Sequence, residues 1–219
     1  RRQGQRGDTR AGRLERLMAR GRFLVFEGID GCGKSSQARQ FAHDHDALFT
    51  FEPGDSALGA QLRGWLLNAS EPMTPSTEAL LMLSDRSHHV ASVIRPTLES
   101  GRDVVSDRYF ASTLAYQGYG RGLDLALLQS ATDLALAGLE PELTLLLDLP
   151  VDLAHERRAR DHHDRFESAD VEFHERVRAG YLELAASRPD TWVVLDGSGT
   201  FDEVRALIDE ACARHGLWP

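Results

Sequence analysis

Residues 23–35 have the sequence FLVFEGIDGCGKS, in which four apolar residues and a glutamate precede a glycine-rich turn. The segment from Gly28 to Ser35 matches the pattern G-x-x-x-x-G-K-S at every fixed position, and it follows an apolar strand and opens a helix, as the pattern requires. Glycines let successive backbone N–H groups curl around phosphate oxygens, and the helix N-terminus adds positive partial charge. This stretch predicts a phosphate loop that binds a nucleoside triphosphate.

Two side chains of this loop have specific predicted roles. Lys34 reaches the β- and γ-phosphates of a bound nucleotide, and the Ser35 hydroxyl is a ligand for Mg²⁺. Asp107 ends the third predicted strand beside the loop and is the second expected Mg²⁺ ligand. The residues expected to bind ATP are Gly28, Asp30, Gly31, Cys32, Gly33, Lys34, Ser35 and Ser36.

Short apolar segments alternate with amphipathic stretches along the chain, which is typical of βαβ units and a parallel sheet. Five strands are predicted at 23–26, 47–51, 103–106, 143–149 and 192–195. Helices are predicted at about 34–45, 57–68, 75–99, 109–117 and 123–137, with a loop at 118–122 and further helices near 173–184 and 201–211. The pattern predicts an α/β fold of the P-loop NTPase type, with helices flanking the sheet.

The composition of the 219-residue chain is that of a soluble globular protein, with 42% hydrophobic and 27% charged residues. Its net charge of -9 is unevenly distributed, because residues 1–22 carry a net +6 and residues 23–219 a net -15. We expect a basic, disordered extension over residues 1–21 and one acidic domain over residues 22–219. Such a domain would repel the phosphate backbone of nucleic acids.

Several protein classes are excluded by the sequence pattern. No apolar run approaches the roughly 20 residues that span a bilayer, and no apolar segment follows the Arg-rich N-terminus as a secretory signal requires. Two cysteines, Cys32 and Cys212, are too few for a disulfide framework. These features indicate a cytoplasmic protein that binds no membrane.

Residues 157–167 have the sequence RRARDHHDRFE, with four arginines in nine positions. A charged helix face in contact with solvent is the general explanation of such a run. In a protein with a phosphate loop, a lid over about residues 157–168 would instead close over the transferring phosphoryl group, neutralise its charge and exclude water. Both interpretations are compatible with the sequence.

Six stretches resemble the thymidylate kinase family in order and spacing, over about residues 22–215. They are FEGIDGCGKSSQ at 26–37, EPG at 52–54, DR at 85–86, DRY at 107–109, STLAYQG at 112–118 and DRFE at 164–167. The resemblance is to the bacterial form, whose catalytic arginines lie in the lid. It implies transfer of the γ-phosphoryl group of ATP to dTMP, giving dTDP, with Mg²⁺, in a homodimer with a five-stranded parallel sheet.

The resemblance also implies roles for individual residues. Asp30 would contact the 3′-hydroxyl of the acceptor sugar, Arg108 the acceptor phosphate and Arg86 the pyrimidine base. The acceptor pocket would be completed by Glu52, Pro53, Met82, Ser112, Tyr116 and Gln117. The residues expected to assist phosphoryl transfer are Lys34, Arg108, Arg158, Arg160 and Arg165.

Two positions depart from the family pattern. Phe51 stands where the family often has an arginine before E-P-G, so that one cation for the acceptor phosphate is missing and Arg63 or a lid arginine would replace it. Met82 stands where an aromatic ring usually stacks on thymine, and its thioether can still cover a base. The alternatives are a kinase of this scaffold acting on another pyrimidine nucleotide or a deoxynucleoside, and a nonenzymatic nucleotide sensor.

Overall fold

The computed structural model describes residues 20–68, 72–161 and 168–218, and a five-stranded parallel sheet forms their centre. The strands are β1 (Phe23–Glu27), β2 (Leu48–Phe51), β3 (Val104–Asp107), β4 (Leu143–Asp148) and β5 (Trp192–Asp196). Their order in the sheet is β2-β3-β1-β4-β5, so the strand that leads into the phosphate loop lies in the middle. Residues 1–19 of the predicted extension and residues 162–167 of the predicted lid lie outside the described residues.

Strand β1 is buried along its whole length, because helices cover both faces of the sheet. It pairs with β3 on one side and β4 on the other, with Phe26 opposite Asp107 and Glu27 opposite Leu146. In a parallel sheet all strands end at the same edge, and this register brings the residues after β1 next to the residues after β3. The fold therefore places the phosphate loop beside the Asp107–Tyr109 turn.

Nine α-helices surround the sheet in the described residues. They are α1 (Lys34–Asp44), α2 (Ala57–Leu67), α3 (Pro75–His89), α4 (Arg95–Glu99), α5 (Phe110–Thr113), α6 (Leu125–Leu136), α7 (Val151–Asp161), α8 (Ser168–Ala186) and α9 (Phe201–Arg214). None of them is both long and apolar enough to cross a membrane.

Two π-helical segments interrupt the predicted helical pattern. Val90–Ile94 joins α3 to α4, so the single helix predicted at 75–99 contains one change of register just before Pro96, a residue that has no N–H to donate. Leu114–Gly120 extends α5, and the first half of the predicted 118–122 loop is therefore helical. This second segment carries Tyr116 and Gln117, which both point to the site described below.

We predict that Leu98→Ala lowers the free energy of unfolding by about 2–5 kcal/mol, because Leu98 is fully buried in the hydrophobic core and its removal leaves a cavity. Urea unfolding measures the change. Leu58→Ala is the matched control: its side chain is 42% exposed, so we expect a much smaller change, below about 1 kcal/mol. Equal effects of the two substitutions would contradict this assignment of the core.

Candidate active site

The phosphate loop owes its shape to glycines in backbone conformations that other residues rarely adopt. Gly31 and Gly33 have φ angles of 92° and 90°, and Gly33 directly precedes α1. A Cβ atom on Gly31 would lie 2.5 Å from the backbone oxygen of Ala154 on α7, so the loop rests against that helix. We call the space above it the phosphate cavity. It has a volume of about 430 Å³ and is lined by Asp30, Gly31, Gly33, Lys34, Ser35, Ser36 and Arg157.

Lys34 is the single lysine of the sequence, and the fold buries its stem beneath the loop. Its Nζ lies 3.4 Å from the backbone oxygen of Ile29 and 3.5 Å from Asp30 Oδ1. Both contacts are long for a charged donor, so the ammonium group is held in place at the cavity without a tight partner. This is the position from which it can bind an incoming phosphate.

Asp30 and Arg108 form an ion pair at the junction of β1 and β3. Arg108 Nη2 donates to Asp30 Oδ1 at 2.6 Å, and the Tyr116 hydroxyl donates to Asp30 Oδ2 at 3.2 Å. Burial disfavours the charge of Asp30, but the positive charges of Arg108 and Lys34 outweigh it and hold the pKa of this carboxyl well below its usual range. Asp30 is therefore a carboxylate at every physiological pH.

Arg108 is held in a strained backbone conformation. Its φ angle is 74°, a value that favours glycine, and its backbone is fixed on both sides. Its N–H donates to the Phe26 carbonyl at 2.9 Å, and the Ser106 hydroxyl donates to its carbonyl at 2.7 Å. The strained conformation turns the guanidinium from the end of β3 towards Asp30.

Glu27, the last residue of β1, is fully buried and organises the opposite side of Arg108. It accepts hydrogen bonds from the backbone N–H groups of Tyr109 and Ser112 and from the hydroxyls of Ser112 and Tyr181. Burial raises the pKa of Glu27, although the charge of Arg108 opposes the shift. The Ser112 and Tyr181 hydroxyls in turn accept from Arg108 Nη1 at 2.9 and 3.0 Å, so Glu27 positions Arg108 through them.

A second cavity of about 260 Å³ opens on the other side of Asp30 and Arg108. It is lined by Asp30, Glu52, Pro53, Arg63, Leu66, Leu67, Glu78, Met82, Arg108, Ser112, Tyr116 and Gln117. Eight residues predicted for the acceptor pocket are in this lining, and the structure brings them together from five separate parts of the chain. Arg86, which the resemblance assigned to the base, is absent from it.

Arg86 lies behind the wall of the second cavity, with 1% of its surface exposed. Its Nε donates to Glu52 Oε2 at 2.7 Å, its Nη1 to the Thr113 hydroxyl and its Nη2 to the Tyr109 carbonyl. In this structure all three nitrogens have protein acceptors because α3 packs directly against the turns after β2 and β3. Arg86 holds Glu52 in the cavity wall, and its predicted contact with the base stays a prediction.

Sequence reasoning missed the partner of Glu52 on its other side, His89. The His89 ring is fully buried, with Nδ1 3.0 Å from Glu52 Oε1 and Nε2 2.6 Å from Thr50 Oγ1. The Thr50 hydroxyl also donates to Asp55 at 2.6 Å. The signal was present in the sequence, because residues three apart on a helix share a face and His89 follows Arg86 by three positions.

A third cavity of about 290 Å³ adjoins the phosphate cavity, and the sequence reasoning missed it too. It is lined by Cys32, Gly33, Ser36, Gln37, Arg157, Gly197, Gly199, Thr200, Phe201 and Val204. Arg157 donates to the carbonyls of Gly197, Ser198 and Gly199, which ties α7 to the turn after β5. The Gly-Ser-Gly sequence at 197–199 could have indicated this cavity. It follows the last strand, and the carboxyl ends of parallel strands meet at the edge of the sheet where the phosphate loop lies.

The predicted lid arginines differ in what the structure describes of them. Arg158 lies on α7 beside the phosphate loop, where its Cγ would be 3.1 Å from a Cβ on Gly31, and its charge acts on Asp30. Arg160 belongs to the end of α7, and its side chain is outside the described set, as is the whole of Arg165. The catalytic roles of these arginines stay predictions.

The residues predicted to hold Mg²⁺ fit a hard cation. Asp107 Oδ1 is buried and has no hydrogen-bond partner among the residues that the structure describes, and Ser35 is exposed at the phosphate cavity. A carboxylate oxygen and a hydroxyl are the ligand types that Mg²⁺ takes, with water and phosphate oxygens completing its shell. Within the described ranges, no group of three or more His, Cys, Asp or Glu residues forms a closed metal site.

Comparison with known proteins identifies the family. A model of the thymidylate kinase family matches residues 26–208, which include all three cavities. The chain belongs to the thymidylate kinase family. It is 46% identical over 191 residues to the thymidylate kinase of Carboxydothermus hydrogenoformans, covering 84% of this chain and 93% of that one. The thymidylate kinase of Desulfovibrio desulfuricans is 44% identical over 212 residues, covering 89% of this chain and 98% of that protein.

A solved structure supports the same assignment for this thymidylate kinase family member. The crystal structure of thymidylate kinase from Ehrlichia chaffeensis superimposes with a TM-score of 0.74 at 28% identity, covering 88% of this chain and 98% of that one. The predicted family, the kinase class and the α/β fold with five parallel strands are thereby confirmed.

The buried network behind the second cavity predicts a pH dependence of stability. Burial and the nearby Glu52 raise the pKa of Asp85 to about 6, against its ordinary value of 3.8; Arg86, His89 and the Gly54 N–H act in the opposite direction. Because the folded state retains this proton longer than the unfolded state, stability falls as the pH rises between these two values.

We predict that Asp85→Asn removes this loss. The free energy of unfolding of the variant minus that of the wild type should increase by roughly 1–3 kcal/mol between about pH 4 and pH 7.5. Urea unfolding at several pH values measures it. Gln61→Asn, at an exposed site without a titratable group, should give a difference that does not change with pH. A constant difference for Asp85→Asn would contradict the raised pKa.

Proposed function

We propose that this chain transfers the γ-phosphoryl group of ATP to dTMP and releases dTDP and ADP. The observation that carries the proposal is the arrangement of two cavities on either side of Asp30, with Lys34 lining one and Arg108 lining the other. A donor phosphate over the loop and an acceptor phosphate at Arg108 would meet there. Membership of the thymidylate kinase family supports the identity of both substrates.

The donor nucleotide occupies the phosphate cavity and the third cavity. The two share Gly33, Ser36 and Arg157, so a triphosphate on the loop can continue into a nucleoside held between Arg157 and the turn after β5. The N–H groups at the start of α1 and the Lys34 ammonium bind the β- and γ-phosphates.

The acceptor nucleotide occupies the second cavity with its phosphate at Arg108. Asp30, held by Tyr116 and Arg108, is the carboxylate that accepts a hydrogen bond from the sugar hydroxyl. Arg63 lines the same cavity, with Nη1 donating to the Pro53 carbonyl and its guanidinium 5.5 Å from the Phe51 ring. It supplies the second cation that the family often places at position 51.

The base lies at the opposite end of the second cavity, between apolar side chains and one amide. Leu66, Leu67 and Met82 cover it, and Gln117 meets its edge. The Gln117 Oε1 atom is buried and without a hydrogen-bond partner in the described part of the chain, so it accepts the N3–H of thymine.

Positioning and charge neutralisation account for the reaction, and no separate general base is needed, because the acceptor phosphate is already ionised at neutral pH. One of its oxygens attacks the γ-phosphorus, and the bond from that phosphorus to the β–γ bridging oxygen breaks. Lys34, Arg108 and Arg158 surround the transferring group and offset the negative charge that gathers on it. Arg160 and Arg165 join them from the lid.

Mg²⁺ would be held by Ser35 and Asp107. When bound, it would offset the negative charge of the nucleotide phosphates. The buried, unpartnered Oδ1 atom of Asp107 is the feature of this chain that supports such a role.

We further propose that the chain works as a homodimer in the cytoplasm. Exposed leucines on two helices that pack together support the dimer: Leu80 on α3, and Leu127 and Leu134 on α6. Both cysteines are free thiols buried in the fold, as expected in a reducing compartment.

A kinase of another pyrimidine nucleotide on the same scaffold is the second candidate, and Phe51 and Met82 are the observations that favour it. A coupled assay with ATP and Mg²⁺ across dTMP, dUMP, dCMP and thymidine decides between the two. We expect the highest kcat/KM for dTMP, a lower value for dUMP, and the lowest values for dCMP and thymidine. Turnover of dCMP or thymidine above that of dTMP would overturn the proposed acceptor.

We predict that Lys34→Ala lowers kcat by about 10²–10³-fold, because the ammonium group stabilises charge that develops on the phosphates. Steady-state kinetics and circular dichroism together show whether activity is lost with the fold intact. Arg39→Ala removes a cation from the exposed face of the same helix and should retain turnover. Near-normal kcat in the Lys34 variant would refute the role assigned to this residue and leave it as a structural element of the loop.

A further inference from the structure

The amide of Gln117 is held in one orientation at the edge of the second cavity. Its Nε2 donates to Glu78 Oε1 at 2.7 Å, while its Oε1 is buried and, among the residues described, has no hydrogen-bond partner. Gln117 is 1% exposed, and both residues line the cavity. The side chain that carries this unpartnered oxygen therefore forms part of the cavity wall.

The chemistry of Glu78 determines which way the amide turns. An ionised carboxylate can only accept hydrogen bonds, so the NH₂ group of Gln117 faces it, and the flipped amide would place two oxygens against each other. The other carboxylate oxygen, Oε2, lies 3.3 Å from Arg121 Nη2. The Arg121 guanidinium in turn lies over the Phe173 ring, 4.9 Å from its centre, and this contact helps to hold it beside Glu78.

The position of Glu78 is itself fixed by the start of α3. Thr74 caps the helix by accepting from the Thr77 N–H, and its carbonyl accepts from the Glu78 N–H at 3.0 Å. A carboxylate in the first turn is also favoured by the helix dipole. Glu78 is thus anchored by its backbone, by Arg121 and by Gln117.

We infer that Glu78 is a positioning residue that sets base selection by keeping the Gln117 oxygen towards the acceptor. The inference rests on the proposed function. An acceptor oxygen pairs with a base that carries N–H at its N3 position, as thymine and uracil do. Cytosine has a lone pair at N3, which would face the Gln117 lone pairs and leave both acceptors buried and unpaired. Glu78 thereby excludes cytosine nucleotides without contacting the base edge itself.

Glu78→Gln tests this inference because the new amide can donate as well as accept. Gln117 can then turn its NH₂ group to the cavity and donate a hydrogen bond to N3 of a cytosine ring. We expect the ratio of kcat/KM for dTMP to that for dCMP to fall about tenfold or more, mainly through a gain with dCMP. Glu99→Gln, at the exposed last residue of α4, is the matched control and should keep the ratio.

A second pair of variants separates this role from a purely structural one. Gln117→Leu removes the amide and should also lower the ratio, and adding Glu78→Gln to it should change the ratio no further, because Glu78 acts through Gln117. A further fall in the double variant, or an unchanged ratio in Glu78→Gln with dTMP turnover intact, would overturn the inference and leave the proposed function standing. Wild-type protein that does not phosphorylate dTMP would instead contradict the proposed function.

Discussion

The buried carboxylate of Glu27 is the interaction on which the site depends. It ends the central strand and immediately precedes the phosphate loop, yet its hydrogen bonds go to Tyr109 and Ser112 after β3 and to Tyr181 on α8. A charge this deeply buried is tolerated only with such partners. Four hydrogen-bond donors converge on Glu27. Through them, the phosphate loop and the cavity for the acceptor nucleotide are joined at a single point of the sheet.

The charges around Glu27 are arranged so that an acidic protein can bind anionic substrates. An acidic protein must bind two nucleotides, each of which carries several negative charges, so its cations have to be concentrated locally. Asp30 balances Arg108 and Lys34 until substrates arrive, and Arg63, Arg157 and Arg158 line the surrounding cavities or lie beside the loop. A carboxylate placed behind a cation, such as Glu27 behind Arg108, holds it in position through the Ser112 and Tyr181 hydroxyls without lining a cavity.

Much of the fold could be predicted from local patterns. Strands β1 and β4 consist mainly of buried apolar residues. The loop motif is recognisable because its glycines, lysine and serine act through spacing alone. The interruptions at Val90–Ile94 and Leu114–Gly120 could not be predicted, since a π-helical turn depends on what packs against the helix. The cavity wall was only partly predictable: Arg86 was recognised as a site residue, but its burial against Glu52 is a property of packing.

The sequence by itself determined the class of fold, the phosphate loop and the family, because these depend on residues close together in the chain or on motifs in a set order. Only the tertiary structure decided which side chains share a cavity. It brought Glu78 to Gln117, His89 to Glu52, and Arg157 to the turn after β5. Such contacts join residues 37 to 42 positions apart, and hydrogen-bond direction and burial exist only once the elements have packed.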